Sequence, residues 1–424
     1  MLSVEVSLYG RILGYLYWDD SRGCADFEYA SDFASSGLQP SPLVLPARAG
    51  VVYSFPELKG ETFRGLPGMI ADSLPDRYGR ELLKTYLALL GRREENPLEA
   101  LCYLGSRCMG ALEFRPSYEL SAARDFEIST LVDVASEALS RKEDFLTSFS
   151  QDRKKAVADI LSLSTSAGGQ RAKAVIAYNK KTGEVRSGQV DAPDGFRHCL
   201  IKLDGVCAGS GLSETNNYGR LEWSFYKLAT SCGITMSECS LVEENGRAHF
   251  LTERFDRRGN EKIHMQTLCA IAHYDFNLLR TYSWEQCFGV MRQLGLPYGD
   301  MTQMFRRIVL NTVIRNQDDH TKNVSFLMDG KGRWSLSPAY DVGYNYNPAG
   351  GWTSKHQMSV CGKFEDICSD DLLRMGESAG ISRPEKIIGE IVDASREWPS
   401  IASGCGVPDE MITSRFENFE LTLC

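Results

Sequence analysis

Two segments, Asn316-Gln317-Asp318-Asp319-His320-Thr321-Lys322-Asn323 and Pro338-Ala339-Tyr340-Asp341, hold the residue types that phosphoryl transfer needs. Asp318 stands five positions before Asn323, and Asp341 eighteen positions after it. A carboxylate in the place of Asp318 orients an attacking hydroxyl and accepts its proton. The Asn323 oxygen and the Asp341 carboxylate are hard ligands suited to Mg²⁺ held against nucleotide phosphates, so ATP and Mg²⁺ are the expected cofactors. Asp319 is the weaker candidate acid, because Asp318 has the five-residue spacing. His320 reads equally as a donor inside the loop or as a phosphate contact. Taken singly, Asp318-Asp319 is a solvated pair, Asn323 a turn residue and Asp341 an ordinary turn after Pro338. Their common register favours chemistry.

Such a set works only if the chain returns Asp341 to Asn323. Val324-Ser325-Phe326-Leu327-Met328 alternates as a short strand, Asp329-Gly330-Lys331-Gly332 turns, and Trp334-Ser335-Leu336 returns, which predicts a hairpin. Upstream, Ala174–Tyr178 and residues 198–203 read as strands, the second carrying Lys202. A lysine on a short apolar strand is either surface-facing or paired with phosphates. Glu222, on a helix predicted over Tyr218 to Cys232, is its expected orienting partner. That helix shows an apolar stripe of Leu221, Phe225, Leu228, Ala229 and Cys232, with Gly233 as its stop. The run Ser164-Thr165-Ser166-Ala167-Gly168-Gly169 lacks G-x-G-x-x-G, yet its small residues suit backbone N–H groups laid over phosphates. Gly pairs also simply mark turns.

Elsewhere, residues 3–17 alternate through Val4, Val6, Leu8, Ile12, Tyr15 and Tyr17 and predict a hairpin. Asp76 to Leu90 reads as a helix, and Asn245-Gly246 as a hairpin turn. Ser283-Trp284-Glu285-Gln286 fits a capping box, and Asp300-Met301-Thr302-Gln303 resembles one with Asp as cap. Met304, Ile308, Asn311, Thr312 and Arg315 mix polar and apolar residues, which places their helix between a core and the active-site loop.

The 424 residues, 43% hydrophobic and 24% charged, describe a globular chain of roughly two to four domains. A net charge of −9 argues against holding nucleic acid by bulk electrostatics. Apolar runs are broken by Arg48, Lys84 or Arg92, so no membrane span is expected, and Met1–Glu5 lacks the basic region of a signal peptide. Thirteen cysteines without C-x-x-C spacing fit reduced thiols in a cytoplasm better than a disulfide framework or a zinc site.

The order Asp-x-His-x-x-Asn differs from that of common protein kinases, which place His and Arg before the catalytic Asp. It resembles the lipid-kinase-like branch and, more closely, the HipA family of bacterial toxin kinases. Leu74-Pro75-Asp76-Arg77-Tyr78-Gly79-Arg80, Gly168-Gly169-Gln170-Arg171-Ala172-Lys173, His198-Cys199-Leu200-Ile201-Lys202-Leu203 and Glu253-Arg254-Phe255-Asp256-Arg257 also resemble signatures of that family, in its order. The resemblance covers nearly the whole chain.

What it implies is an α+β, two-lobed protein-kinase-like fold with an N-terminal β-rich subdomain and a helical C-terminal lobe. The expected segments are 1–115 (N-terminal subdomain), 116–160 (helical bridge), 161–255 (N-lobe with Gly loop and ATP lysine) and 256–424 (helical C-lobe). Nucleotide contacts fall on Ala167, Gly168, Gly169, Lys202, Glu253, Arg254, Phe255, His320, Asn323, Tyr340 and Asp341, with Asn323 and Asp341 on the metal. The Glu253–Phe255 connection is then a hinge whose main chain meets the adenine edge; on its plainer reading Glu253 and Arg254 are solvated and Phe255 is core. The family also implies autophosphorylation at a loop hydroxyl, here Ser164, Thr165 or Ser166. Its activity is that of a Ser/Thr protein kinase toxin. Its target lies in the translation machinery, such as an aminoacyl-tRNA synthetase. Its partner is a small DNA-binding HipB-like antitoxin, through which alone it meets DNA. The other readings are a kinase of a small molecule or lipid, and a non-catalytic kinase-fold corepressor. Retention of Lys202, Asp318, Asn323 and Asp341 together argues against the last.

Overall fold

The computed structural model describes residues 3–94, 96–118, 127–129, 132, 135, 172–189, 191–207, 211–212 and 216–423. The chain divides into two units: residues 1–219, 240–265 and 328–332, and residues 220–239, 266–327 and 333–424. The helix Tyr218–Ser231, with Glu222, falls mainly in the second unit, whereas most of the segment 161–255 falls in the first.

In the first unit, the strands Ser3–Leu8 and Arg11–Asp19 pair antiparallel around Tyr9 and Gly10, both at positive φ. The outer alternation expected for the second strand is out of phase. Leu13 and Leu16 are buried, while Ile12 and Tyr17 are about two-fifths exposed. A register irregularity between Val6 and Ser7 is the reason: Val4 faces Leu16 and Val6 faces Gly14, so the apolar face runs through Leu16 and Gly14. Gly14 has no room for a side chain; a Cβ there would lie 2.2 Å from the Glu28 carbonyl oxygen. This sheet has five strands, completed by Cys24–Tyr29, Val52–Ser54 and Leu112–Arg115.

The second sheet of this unit also has five strands, in the order Cys239–Glu244, Arg247–Glu253, Arg197–Lys202, Lys173–Tyr178, Val185–Ser187. Its first hairpin turns at Asn245 (φ 46°) and Gly246 (φ 78°), the pair of left-handed residues that a two-residue turn of this hand requires. The helix Arg77–Leu89 begins where expected, because the Asp76 side chain accepts a hydrogen bond from the Gly79 amide at 2.7 Å. The same side chain forms a buried ion pair with Lys173, Oδ2 to Nζ 2.7 Å. Two of the family-like segments, 74–80 and 168–173, therefore meet at one contact.

The second unit is helical around Trp398, which is fully buried, stacks on Phe225 at 4.9 Å and donates its indole N–H to Ser224 Oγ at 3.2 Å. The helix Trp284–Gln293 carries the expected capping box on Ser283 and Gln286. The box expected at Asp300 is absent. The helix Tyr298–Val313 starts earlier, after Pro297, and the Asp300 carboxylate instead accepts from the Leu336 amide at 2.8 Å. Among the described residues no helix is long and apolar enough to cross a membrane, and the described cysteines are free thiols, most of them buried.

Candidate active site

Near the end of the helix Tyr298–Val313, Asn311 faces the loop that follows it. Asn311 Oδ1 accepts from Asn316 Nδ2 at 3.0 Å, and buried Arg307 donates to the Ser337 carbonyl at 2.6 Å. Asn316 also donates to the Asp341 carbonyl at 3.3 Å and accepts from Asn345 Nδ2 at 2.8 Å. One asparagine thus ties the start of the 316–323 loop to the segment carrying Asp341. The hairpin closes as the spacing predicts: Ser325–Met328 and Trp334–Leu336 are neighbours in one sheet. Tyr340 then donates its hydroxyl to the Lys322 carbonyl at 2.7 Å, beside Asn323. Asp341 follows with φ 51°, a left-handed conformation uncommon for a residue with a side chain.

Asp318 and Asp319 have opposite surroundings. Asp319 is 2% exposed, accepts from the Gln357 amide at 2.7 Å and pairs with His356 Nδ1 at 2.8 Å. Its oxygens are committed to holding the 356–357 segment. The Asp318 side chain is 38% exposed and, among the described residues, receives one hydrogen bond, from Trp352 Nε1 to Oδ1 at 2.6 Å. His320 Nε2 stands 3.7 Å from that oxygen. Desolvation pushes the Asp318 carboxyl upward, and Asp341 and Asp319 add to the rise, against the opposing pull of His320 and the Trp352 N–H. Desolvation pushes His320 downward, toward the neutral imidazole, against the carboxylates around it. His320 Nδ1 is buried with no hydrogen-bond partner among the described residues, so this ring is not merely a satisfied loop donor.

Asn323 ends a short 3₁₀ turn over Thr321–Asn323 and donates its Nδ2 to the Asp318 carbonyl at 2.7 Å. With the amide nitrogen so committed, Oδ1 is the atom left for a cation. A side-chain carbonyl and a carboxylate, with no group of three His, Cys, Asp or Glu at metal-binding distance among the described residues, fit Mg²⁺, which takes few protein ligands and completes its shell with water and phosphate oxygens.

In the first unit, Lys202 ends the strand Arg197–Lys202, half-buried, with Nζ 5.8 Å from the Phe250 ring centre. Its cross-strand neighbour is Lys173, the residue neutralised by Asp76. Glu222 belongs to the second unit. The Arg254 amide donates to the His198 carbonyl at 2.9 Å, so this donor serves the sheet and not an adenine edge. Nor are the side chains of this connection as the plainer reading has them. Arg254 is buried and Phe255 only half-buried. Asp256 explains the difference. It accepts from Arg254 Nε (2.9 Å) and Nη2 (2.7 Å), from Arg257 Nη1 (2.9 Å) and from the Gly110 amide (2.6 Å). The same turn borders a pocket of about 320 Å³ lined in part by Phe196, His198, Glu253 and Asn260. Ala167, Gly168, Gly169 and the hydroxyls of Ser164, Thr165 and Ser166 lie outside the described residues.

Sequence reasoning gave no role to Asn345, Trp352, His356 and Gln357, and named Asn311 and Asn316 without their pairing. The density of Asn and Gln around 311–317 was the one available signal, since buried amides in a loop must be paired.

The chain matches the HipA N-terminal domain over residues 4–115 and the HipA-like C-terminal domain over residues 165–398. "Putative kinase Y4dM" of Sinorhizobium fredii is 26% identical over 196 residues, 42% of this chain and 45% of that protein. "Putative kinase Y4mE" of the same organism is 25% identical over 126 residues, 27% of this chain and 30% of that protein. The chain thus spans less than half the length of these curated relatives. The HipA toxin–antitoxin structure of Shewanella oneidensis MR-1, solved with HipB and operator DNA, superposes with a TM-score of 0.67 at 17% identity, covering 99% of this chain and 96% of that one. It shares the mixed α+β HipA fold, with an N-terminal β-sheet part and a helical C-terminal part. The two domain matches together span most of the sequence, and the chain belongs to the HipA family.

Proposed function

We propose that this chain is an ATP-dependent serine/threonine protein kinase of the HipA type, the toxin of a toxin–antitoxin pair. The observation that carries the reading is the contrast inside Asp318-Asp319. One carboxylate is buried and fully engaged, while its neighbour is half-exposed beside an asparagine whose amide nitrogen is fixed. That is the arrangement expected of an acid held ready for a substrate hydroxyl.

In this reading Asp318 orients the acceptor hydroxyl and takes its proton as the hydroxyl oxygen bonds to the γ-phosphorus and the bond to the ADP oxygen breaks. Asn323 Oδ1 and the Asp341 carboxylate would hold Mg²⁺, which would supply neutralisation of charge on the phosphates. Lys202 would pair with phosphate oxygens, and the His320 ring nitrogen would offer a further contact to them. The Tyr340 hydroxyl holds the Asp341 segment in place. Glu253 and Phe255 flank the pocket-bordering connection where an adenine would sit, and Ala167–Gly169 would cover the phosphates. The protein acceptor belongs to the translation machinery. The partner is a small HipB-like antitoxin that brings the complex to DNA, supported by the Shewanella assembly.

Phosphoproteomics of cells expressing the chain against cells expressing Asp318→Asn tests this reading. New phosphoserine or phosphothreonine confined to the first culture supports it, and identical phosphoproteomes overturn it. Calorimetry with ATP should show binding that weakens without Mg²⁺ and in Lys202→Ala.

A further inference from the structure

We infer that Trp352 is a positioning residue for Asp318: its indole N–H fixes Oδ1 and thereby leaves Oδ2 as the oxygen that meets the acceptor hydroxyl. The inference rests on the proposed role of Asp318 and adds a residue that no motif contains. Trp352 lies well downstream of Asp318, in a short 3₁₀ turn over Trp352–Ser354 that follows Gly350 (φ 106°) and Gly351 (φ 87°). Two successive residues at such φ values need glycine, so the turn is built to present what comes next. What comes next is an indole, a side chain that only donates and that therefore selects a carboxylate oxygen without ambiguity. At 2.6 Å the contact has the length of a charge-assisted bond.

The ring is also walled in. His320 lies edge-on to it at 6.1 Å and Phe276 at 6.3 Å, and Phe276 packs against His320 at 5.1 Å. Arg280 Nη2 reaches the Gly351 carbonyl at 3.3 Å and Ser354 Oγ at 3.1 Å, which fastens the turn to the loop carrying Phe276. Four and five residues downstream of the indole, His356 and Gln357 grip Asp319. One segment, 352–357, thus holds both aspartates: Asp319 as its anchor and Asp318 as the group it aims. Among the described residues no hydrogen bond reaches Asp318 Oδ2, so the indole is the one directional restraint on this carboxylate.

The plainer reading is that Trp352 fills space between Phe276 and His320 and its N–H takes the nearest acceptor. Trp352→Phe separates the two, because it keeps an aromatic filler and removes the donor. Transfer from γ-labelled ATP to the proteins of a cell lysate is measured against ATP concentration for the wild-type chain, Trp352→Phe and Asp318→Asn. If Trp352 positions Asp318, Trp352→Phe should lower the maximal rate about ten- to a hundred-fold, as small misplacements of reacting groups do, with KM for ATP and the melting temperature unchanged. An unchanged rate, or a loss that tracks melting temperature or KM, overturns the inference. Full activity in Asp318→Asn would instead overturn the role of Asp318 itself. A second arm is independent of any acceptor. In ¹⁵N-tryptophan-labelled protein, the indole resonance absent from Trp352→Phe should lie downfield and move upfield in Asp318→Asn. If it stays in place, the hydrogen bond does not hold in solution and the inference falls.

Discussion

Asp256 and Asp318 are both loop carboxylates, but their surroundings differ in kind. Asp256 is fully buried and takes four hydrogen bonds, three of them from the two guanidiniums of Arg254 and Arg257. Desolvation would raise its pKa, yet the arginines and the Gly110 amide overcome it and hold the carboxyl well below the usual range. Among the described residues Asp318 takes one side-chain hydrogen bond; it keeps part of its surface in water and is shifted the other way. A carboxylate whose every acceptor site is filled can only hold structure. One whose sites are partly open, and whose charged form is disfavoured, can exchange a proton.

The largest effect should come from breaking the sealed region. Asp256→Asn leaves two buried guanidiniums short of a counter-charge and should cost about 3–5 kcal/mol, read as a large fall in the denaturation midpoint. A midpoint near wild type would show that the arginines find water instead. Acid should probe the same unit. His264 is fully buried with Nε2 on the Pro40 carbonyl at 2.9 Å, and burial pushes it from 6.5 down to about 4. As pH falls below about 6.5, the unfolded chain gains a proton that the folded chain does not take up until about 4. This histidine's contribution to stability should therefore decline by up to about 3 kcal/mol across that window. Urea midpoints between pH 7 and pH 4.5 should fall less steeply in His264→Asn; an unchanged slope would mean that the ring is already solvated.

The open region should respond in rate and not in stability. Asp318→Asn should lose phosphoryl transfer about a hundred-fold or more, equivalent to about 2.7 kcal/mol of barrier, while melting unchanged and still binding ATP. Loss of fold in that variant would make Asp318 a second Asp256. Asp319→Asn should sit between the two cases. It weakens the hold on His356 and Gln357 and should cost about 1–3 kcal/mol of stability, with a smaller loss of rate.

This contrast was only half legible in the sequence. Asp318, Asn323 and Asp341 were readable because a loop and a short hairpin bring them together, and hairpin signals are local. The choice of Asp318 over Asp319 rested on spacing alone, whereas the structure gives a physical reason in His356 and Gln357. Those residues, with Trp352, carry no signal because their partners lie more than thirty positions away. The plainer reading has Arg254 solvated; Asp256, two positions on, accepts from its guanidinium, but the Cys108 carbonyl that also accepts from it lies 146 positions away. Local rules also failed where a competing contact intervened. A register irregularity shifted the apolar face of the second strand, and Leu336 engaged the carboxylate expected to cap a helix.

The buried Asp76–Lys173 pair has a consequence for the order of synthesis. At about 5–20 residues per second, Lys173 leaves the ribosome several seconds or more after Asp76. The unit they join also requires residues 240–265 and 328–332. Its second sheet, unlike the amino-terminal one, cannot be completed until the strands Cys239–Glu244 and Arg247–Glu253 have been made. A nascent chain arrested before residue 173 would display an aspartate without its lysine, and one arrested before residue 239 would lack two of the five strands of the second sheet.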